Sequence, residues 1–122
     1  MINFEKTEEF DRDFKRLHRK LLSLPGDLEI LKRYEITLFH LKKIDRHGII
    51  QIQGVGNTEN LQFYKVKKFA CKSLKGRGSK TGLRVIYAFF PKEQKVVFIE
   101  IYFKARQKNE NRQRIINFIK SN

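Results

Sequence analysis

The sequence is poor in cysteine, in long apolar runs and, over one stretch, in acid. Cys71 is the single cysteine, which excludes an internal disulfide and any cysteine-based zinc site. It reads as a small residue of a strand. No run of 18 or more apolar residues occurs, so no membrane-spanning helix is expected, and the N-terminal residues form no apolar leader core. No internal repeat or low-complexity linker divides the 122 residues, which are enough for one domain, 1–122, with a real core. These absences fit a cytoplasmic protein. The missing acid is local. Residues 63–84 contain no Asp or Glu and eight Lys or Arg, whereas the chain as a whole carries 27 basic and 13 acidic residues, a net charge of +14.

That stretch therefore holds more than half of the net charge, because residues 1–62 are close to neutral with eleven basic and ten acidic side chains. A charge so concentrated makes a local field, and its natural partner is a polyanion. The 40% of apolar residues, among them eleven Phe and four Tyr, exclude a disordered basic tail.

The remaining pattern gives an α+β domain. Residues 2–6 alternate as a first strand. Thr7, with Glu8 and Glu9 after it, starts a helix whose stripe is Phe10, Phe14, Leu17 and Leu21. Its charged face, Asp11, Arg12, Lys15, Arg16 and Arg19, is mixed in sign and reads as solvated surface. Leu24-Pro25-Gly26-Asp27 breaks that helix, with Asp27 positioned to cap a second one that carries Leu28, Ile30, Leu31, Tyr34, Leu38 and Leu41 to about Lys43. Residues 45–62 are the least legible: Ile49 to Gln53 has strand character, and Gly54, Gly56 and Asn57 mark a turn or an excursion from the sheet. From Phe63 the period is two, with Phe63, Lys65, Lys67 and Phe69 on one face and Tyr64, Val66, Lys68 and Ala70 on the other. Residues 82–91 and 95–103 are two more strands, the last apolar on both faces and hence central. Asn109 can cap a closing helix with Ile115, Ile116 and Ile119 on its inner side. The expected architecture is an N-terminal strand and two-helix hairpin packed on a twisted antiparallel sheet, followed by a C-terminal helix, with the other sheet face open to a ligand.

Several motifs are weighed against plainer readings. Gly76-Arg77-Gly78-Ser79-Lys80-Thr81 is not a nucleotide-binding phosphate loop, because Ser79 stands where a glycine is needed and a strand follows instead of a helix. It reads as a mobile loop that can touch nucleic-acid backbone. His40 and His47 are packed or surface histidines more readily than metal ligands. Glu100, alone among strand carboxylates, reads as the partner of a nearby Lys or Arg. What remains is a group of cations: Lys65 and Lys67 on one strand, Arg84 on the next, Lys104 and Arg106 at the end of the third. Such a group could cut RNA without a metal or other cofactor, or form a passive basic groove. Attack by a ribose 2′-OH on the adjacent phosphate needs a base, stabilisation of phosphorane charge and an acid. A lysine among cations gives up its proton more easily, and arginine grips two phosphate oxygens at once.

Thr7-Glu8-Glu9-Phe10 and the helix after it, Tyr64-Lys65-Val66-Lys67-Lys68, Gly82-Leu83-Arg84-Val85-Ile86-Tyr87 and Ile99-Glu100-Ile101-Tyr102-Phe103-Lys104 resemble the RelE/ParE superfamily of toxins from bacterial type II toxin–antitoxin pairs. The resemblance spans about residues 2–43 and 62–120. It implies a RelE-like mRNA interferase: a ribosome-dependent endoribonuclease that inhibits translation, held inactive by a cognate antitoxin and oligomeric only through it. The catalytic residues it implies are Lys65, Lys67 and Arg84, with Lys104 and Arg106 in second rank. The family's closing Lys-Arg pair falls on Lys104 and Ala105, one place before Arg106. RNA contacts would come from Lys68, Lys72, Lys75, Arg77, Lys80 and Tyr102, the last because no later tyrosine can orient a base. Two other readings share these features, a ParE-like poison of DNA gyrase and a non-catalytic RNA-binding module.

Overall fold

The computed structural model describes residues 1–45, 48–78 and 80–122, so His47 and Ser79 lie outside the described residues. The strands are β1 (Asn3–Lys6), β2 (Ile49–Gln51), β3 (Gln62–Val66), β4 (Leu83–Phe90) and β5 (Lys95–Phe103). They form one sheet in the order β1-β5-β4-β3-β2. Strands β2 to β5 pair antiparallel as a meander, whereas β1 lies parallel to β5, Asn3 opposite Lys95 and Lys6 opposite Phe98. The sheet is thus mixed, a correction to the purely antiparallel expectation. The N-terminal strand fills the edge left beside β5, and its chain leaves directly into helix α1.

Helix α1 (Glu8–His18) starts as its sequence dictates. Thr7 Oγ1 accepts the Phe10 N–H, and Glu8, Glu9 and Asp11 occupy the first turn, where the helix dipole favours negative charge. The second helix differs from expectation at its start. It begins at Leu24, so Pro25 falls within the first turn, where its missing N–H costs nothing. Asp27 is inside the helix and buried, not a cap. Helix α2 (Leu24–Ile30) passes through a π-helical segment, Leu31–Ile36, into α3 (Thr37–Lys42). The Thr37 hydroxyl donates to the Lys32 carbonyl five residues back. This widened segment rotates the buried stripe: Leu24, Leu28, Leu31 and Ile36 are buried, while Ile30, Tyr34 and Leu41 are exposed.

These helices cover one sheet face, where Phe10, Leu24, Leu31 and Ile36 pack with Val66, Val85, Tyr87, Phe98 and Ile101. The opposite face is not open. Helix α4 (Arg112–Lys120) lies over it, capped by the Asn111 side chain and not by Asn109. Ile115, Phe118 and Ile119 pack with Phe63, Ile86, Ala88, Phe90, Val97 and Ile99. The loop after β2 joins this second core through Ile52, whose backbone N–H donates to Phe63 O (2.8 Å), and Asn57 bridges the Ile52 carbonyl and the Phe63 N–H. Arg114 fastens α4 to α1, its Nη1 donating to Asp13 Oδ2 (2.5 Å) and to the Ile99 carbonyl (3.3 Å).

The alternation expected through Phe69 stops at Val66. Phe69 is buried in the helix-side core with Val66, because the chain has already turned into the long loop toward β4. That loop is tethered, not free. Lys72 N–H donates to Asp27 Oδ2 (3.1 Å) and Ser73 N–H to Ser23 Oγ (2.8 Å). The Ser23 hydroxyl donates to the same Asp27 oxygen (2.6 Å), and Ser23 N–H to Ser73 Oγ (2.8 Å). Cys71 is buried in this loop and not in a strand. Burial pushes its thiol pKa up, which makes it inert. At the far end, Thr81 Oγ1 donates to the Phe69 carbonyl and accepts the Leu83 N–H.

His40 is part of the helix-side packing. Its ring stacks on Phe89 with centroids 3.9 Å apart, and its Nε2 lies 2.7 Å from the Tyr87 hydroxyl. Burial, with Lys43 near, holds its pKa down at about 4.

Two outcomes are expected. Asp27→Ala removes acceptors for the Ser23 hydroxyl and the Lys72 N–H, and should lower unfolding free energy by about 2–3 kcal/mol. Chemical denaturation measures this, and a loss below about 0.5 kcal/mol would be that of an ordinary surface substitution. His40 is neutral when folded and gains a proton more readily when unfolded. Its contribution is complete above the unfolded value near 6.5 and is lost as pH falls toward about 4, at up to about 1.4 kcal/mol per pH unit. His40→Phe keeps a ring on Phe89 and should flatten that slope; identical slopes in both proteins would refute the assignment.

Candidate nucleic-acid interface

Strands β3 and β5 finish, and β4 begins, at one end of the sheet. Lys65 faces Ile86 on β4, and Arg84 faces Tyr102 on β5. Lys65 and Arg84 are therefore diagonal neighbours across two strands, a separation of roughly 7–8 Å between Cα atoms. Lys67 lies one residue beyond the last β3–β4 pair, exposed, its N–H donating to the Gly48 carbonyl at 3.1 Å. Lys104 follows the last residue of β5, its N–H donating to the Gly82 carbonyl at 2.8 Å. The register thus brings Lys65 and Arg84 together, while Lys67 and Lys104 follow the ends of β3 and β5 at this end of the sheet. Arg106 does not join them. It lines a separate cavity beside α1 with Arg16 and Lys20.

The electrostatic surroundings divide these cations. Lys65 Nζ lies 2.6 Å from Glu110 Oε1, with both side chains largely buried, and Arg112 Nη2 lies 3.3 Å from Glu110 Oε2. Burial alone would raise the Glu110 pKa, but Lys65, its own backbone N–H and Arg112 outweigh that and hold it below the usual carboxylate value. Lys65 is thus an ammonium clamped by a carboxylate. Arg84 is half-buried, and among the described residues its polar contact is a long 3.4 Å approach of Nη1 to the Leu83 carbonyl. No carboxylate of the described residues pairs with it. A guanidinium partly withdrawn from water without an acid partner is receptive to an anion.

Glu110 is the residue that the sequence reading missed. It sits in an irregular connection with no periodic pattern, and its pairing with Lys65 spans 45 positions. Glu100 is also reassigned. Its carboxylate accepts from Gln107 Nε2 (2.7 Å) and Asn111 N–H (2.8 Å), so it positions the approach to α4 instead of pairing directly with a lysine or arginine. Tyr102 is 6% exposed and packs in the α4-side core, with its hydroxyl buried and unpartnered. Burial, helped by Glu110 and Glu100 and opposed by Arg84, pushes its pKa up to about 12. Its ring is not offered to a base, which corrects the expectation of an exposed aromatic there.

The loop cations are placed as a group. Lys68, Lys72, Lys75, Arg77 and Lys80 are all exposed. Successive turns form the tip, Leu74 N–H to the Cys71 carbonyl, Arg77 N–H to the Leu74 carbonyl and Lys80 N–H to the Arg77 carbonyl, with Gly76 in the left-handed region at φ 77°. Lys72, Lys75, Arg77 and Lys80 form no ion pair among the described residues. The loop therefore projects uncompensated charge from the end of the sheet that carries Arg84. No group of three His, Cys, Asp or Glu able to hold a metal occurs among the described residues, and no helix among them is long and apolar enough to cross a membrane.

No protein-family model matches the sequence, and no curated protein matches it. Solved structures do. The crystal structure of an archaeal RelE–RelB complex from Pyrococcus horikoshii OT3 matches with a TM-score of 0.52 and 16% identity, over 86% of this chain and 97% of that one. The solution structure of a conserved hypothetical protein of Helicobacter pylori, HP0892, matches with a TM-score of 0.50 and 14% identity, over 86% and 97% of the two chains. At such identities the likeness is one of backbone, and it agrees with the element order and sheet described above: the chain has a RelE-like α+β fold.

Proposed function

We propose that the protein is the toxin of a toxin–antitoxin pair and acts as an mRNA endonuclease that stops translation. The observation that carries this reading is Arg84, a half-buried guanidinium without a carboxylate partner on a central strand, beside the clamped ammonium of Lys65. The RelE-like fold supports the toxin class, and a RelE structure solved with RelB supports a protein partner.

In this mechanism Arg84 holds the scissile phosphate through two oxygens and stabilises the charge that develops on the phosphorane. Lys67, acting as its neutral amine, accepts the 2′-OH proton. Lys65, ion-paired with Glu110, adds positive potential and has a proton to give to the departing 5′-oxygen. Lys104 neutralises flanking phosphate. The exposed cations Lys68, Lys72, Lys75, Arg77 and Lys80 bind backbone without reading sequence, so mRNA held in a ribosome, with its path already fixed, is the substrate this surface suits. The antitoxin is expected to be acidic, because covering a field of one sign is the direct way to silence it.

Arg84→Ala should lower cleavage of translated mRNA by about 10²- to 10³-fold, with far-ultraviolet circular dichroism unchanged. Glu110→Gln should also lower it, by freeing Lys65 from its position. Mapping of RNA ends after in vitro translation measures both. Equal integrity of the message with the wild-type protein and with a Lys65→Ala, Lys67→Ala, Arg84→Ala triple variant would refute the nuclease reading. Inhibition of gyrase supercoiling by both proteins would replace it with the ParE-like one.

A further inference from the structure

Strand β2 extends the sheet beyond β3, with Ile50 opposite Lys65 and Gln51 opposite Tyr64. It belongs to the part of the chain outside the family resemblance, and the proposed phosphate chemistry does not use it. A cavity of about 310 Å³ lies beside it, and Ile50, Gln53, Lys65, Asn109, Glu110 and Arg112 are among the residues that line it.

The register places this cavity next to the proposed reaction site. Residues directly opposite in an antiparallel pair share a face, and successive residues alternate. Phe63 and Ile52 pack beneath α4, so Lys65 and Ile50, two residues from each, stand on that same face. Arg84, two residues before Ile86 of the same core, stands there too. Lys65 therefore separates the cavity, toward β2, from Arg84, on β4. Strands β4 and β2 are roughly 10 Å apart, twice the spacing of neighbouring strands. One nucleotide bridges such a gap with its phosphate at one end and its base at the other.

The walls of the cavity are fastened to each other. Arg112 Nη1 donates to the Gln53 carbonyl (3.1 Å), and its Nη2 lies 3.3 Å from Glu110 Oε2. Glu110 in turn holds Lys65. Gly54, at φ 74°, turns the chain away from β2, and a Cβ there would stand 3.4 Å from Arg112 Nη1. The cavity is thus preorganised, and the charged groups around it are spent on one another.

The groups left to a ligand are neutral. Ile50 is 43% exposed and offers an apolar surface. Gln53 is exposed, and its side-chain amide makes only a 3.5 Å approach to the Gln51 carbonyl. Asn109 is exposed as well, and the group it has engaged is its backbone carbonyl, which accepts from Gln107 Nε2 (2.8 Å). An apolar surface flanked by two amides suits a nucleobase, with the ring over Ile50 and the edge toward the amides. A second phosphate is a poorer match, because Lys65 and Arg112 already share the Glu110 carboxylate. Each amide carries a donor and an acceptor side by side and can turn over, so it meets the edge of any base. What the cavity requires is that the base be unpaired.

We propose that this cavity is a subsite for an unpaired base of the RNA strand whose phosphate Arg84 holds. The base lies on Ile50, its edge meets Gln53 and Asn109, and its sugar passes over the Lys65–Glu110 pair. The loop cations hold backbone anywhere along a strand, whereas this subsite fixes which nucleotide stands at Arg84. It rests on the nuclease reading for the presence of RNA at Arg84, not for its cutting.

The test is a nuclear magnetic resonance titration of the full chain with two 2′-O-methyl trinucleotides, ApApA and its counterpart with hydrogen in place of every base. Methylation removes the attacking hydroxyl, so no cleavage takes part. ApApA at up to about 5 mM, a range that detects weak contacts, should shift the Ile50 methyl signals and the side-chain amides of Gln53 and Asn109. The abasic compound should shift only signals around Arg84. Asn109→Ala should weaken ApApA by about fivefold and leave the abasic compound's affinity unchanged. Absence of shifts at Ile50, Gln53 and Asn109, equal shifts there with the abasic compound, or unaltered ApApA affinity in Asn109→Ala would overturn the proposal. So would saturation by adenosine 5′-monophosphate at the same concentration as by ApApA, which would make this a site for a free nucleotide. A protein that seats the base but leaves translated mRNA intact keeps this subsite and loses the nuclease reading. One that cuts mRNA without a response at Asn109 does the reverse.

Discussion

Strands β4 and β5 are buried along nearly their whole length, and this constraint shapes everything else. A strand apolar on both sides must be covered on both sides. Helices α1 to α3 supply one cover and α4 the other. Charge is then admissible only where the covers end, or where it is paired. The cations of the candidate interface obey that rule. Arg84 sits at the start of β4, Lys67 just past β3 and Lys104 just past β5. Lys65, inside a strand, is the exception, and it is accompanied by Glu110.

The same rule sorts the basic residues into two populations. Lys65 and Arg114 are held by buried carboxylates, and removing Glu110 or Asp13 would leave a stranded charge. These fix geometry. Arg84, Lys72, Lys75, Arg77 and Lys80 form no ion pair among the described residues and exert their field outward. Their pull on a polyanion is screened over about 8–10 Å at ordinary ionic strength, so it gathers a ligand at short range, and Arg84, the one partly withdrawn from water, is best placed to hold it firmly. Rigid pairing inside and unpaired charge outside give a preorganised anion site on a stable frame.

Much of this was legible in the sequence, because hydrophobic periodicity reports which faces are buried. The start of α1 at Thr7, the stripe Phe10–Phe14–Leu17, strands β3 to β5 and the concentration of charge between 63 and 84 are local signals. The illegible parts are those set by distant contacts. Nothing around Asp27 indicates that it will be buried beneath Lys72, and a proline three residues ahead of Leu28 reads equally as a break or a first turn. The π-helical segment turns Ile36 inward and leaves Tyr34 at the surface, which a period of 3.6 cannot anticipate. The second face of the sheet read as open because the residues of α4 that pack on it are few, Ile115, Phe118 and Ile119, although they are enough to cover it. Glu110 and Tyr102 were missed or misplaced for the same reason: their environments are made by residues 45 and 18 positions away, Lys65 and Arg84.

The knot of Ser23, Asp27 and Ser73 has a consequence for how the chain can vary. It fastens the base of the basic loop to the helical layer, and Thr81 closes the other side. Residues 75–78, beyond Leu74, which packs against the helix-side core, are thereby an exchangeable cassette on a fixed mount. Their length and charge can drift without disturbing either core, so the strength and reach of the positive field can be retuned independently of stability, while the serines and the aspartate that carry no charge to the ligand are the positions least free to change.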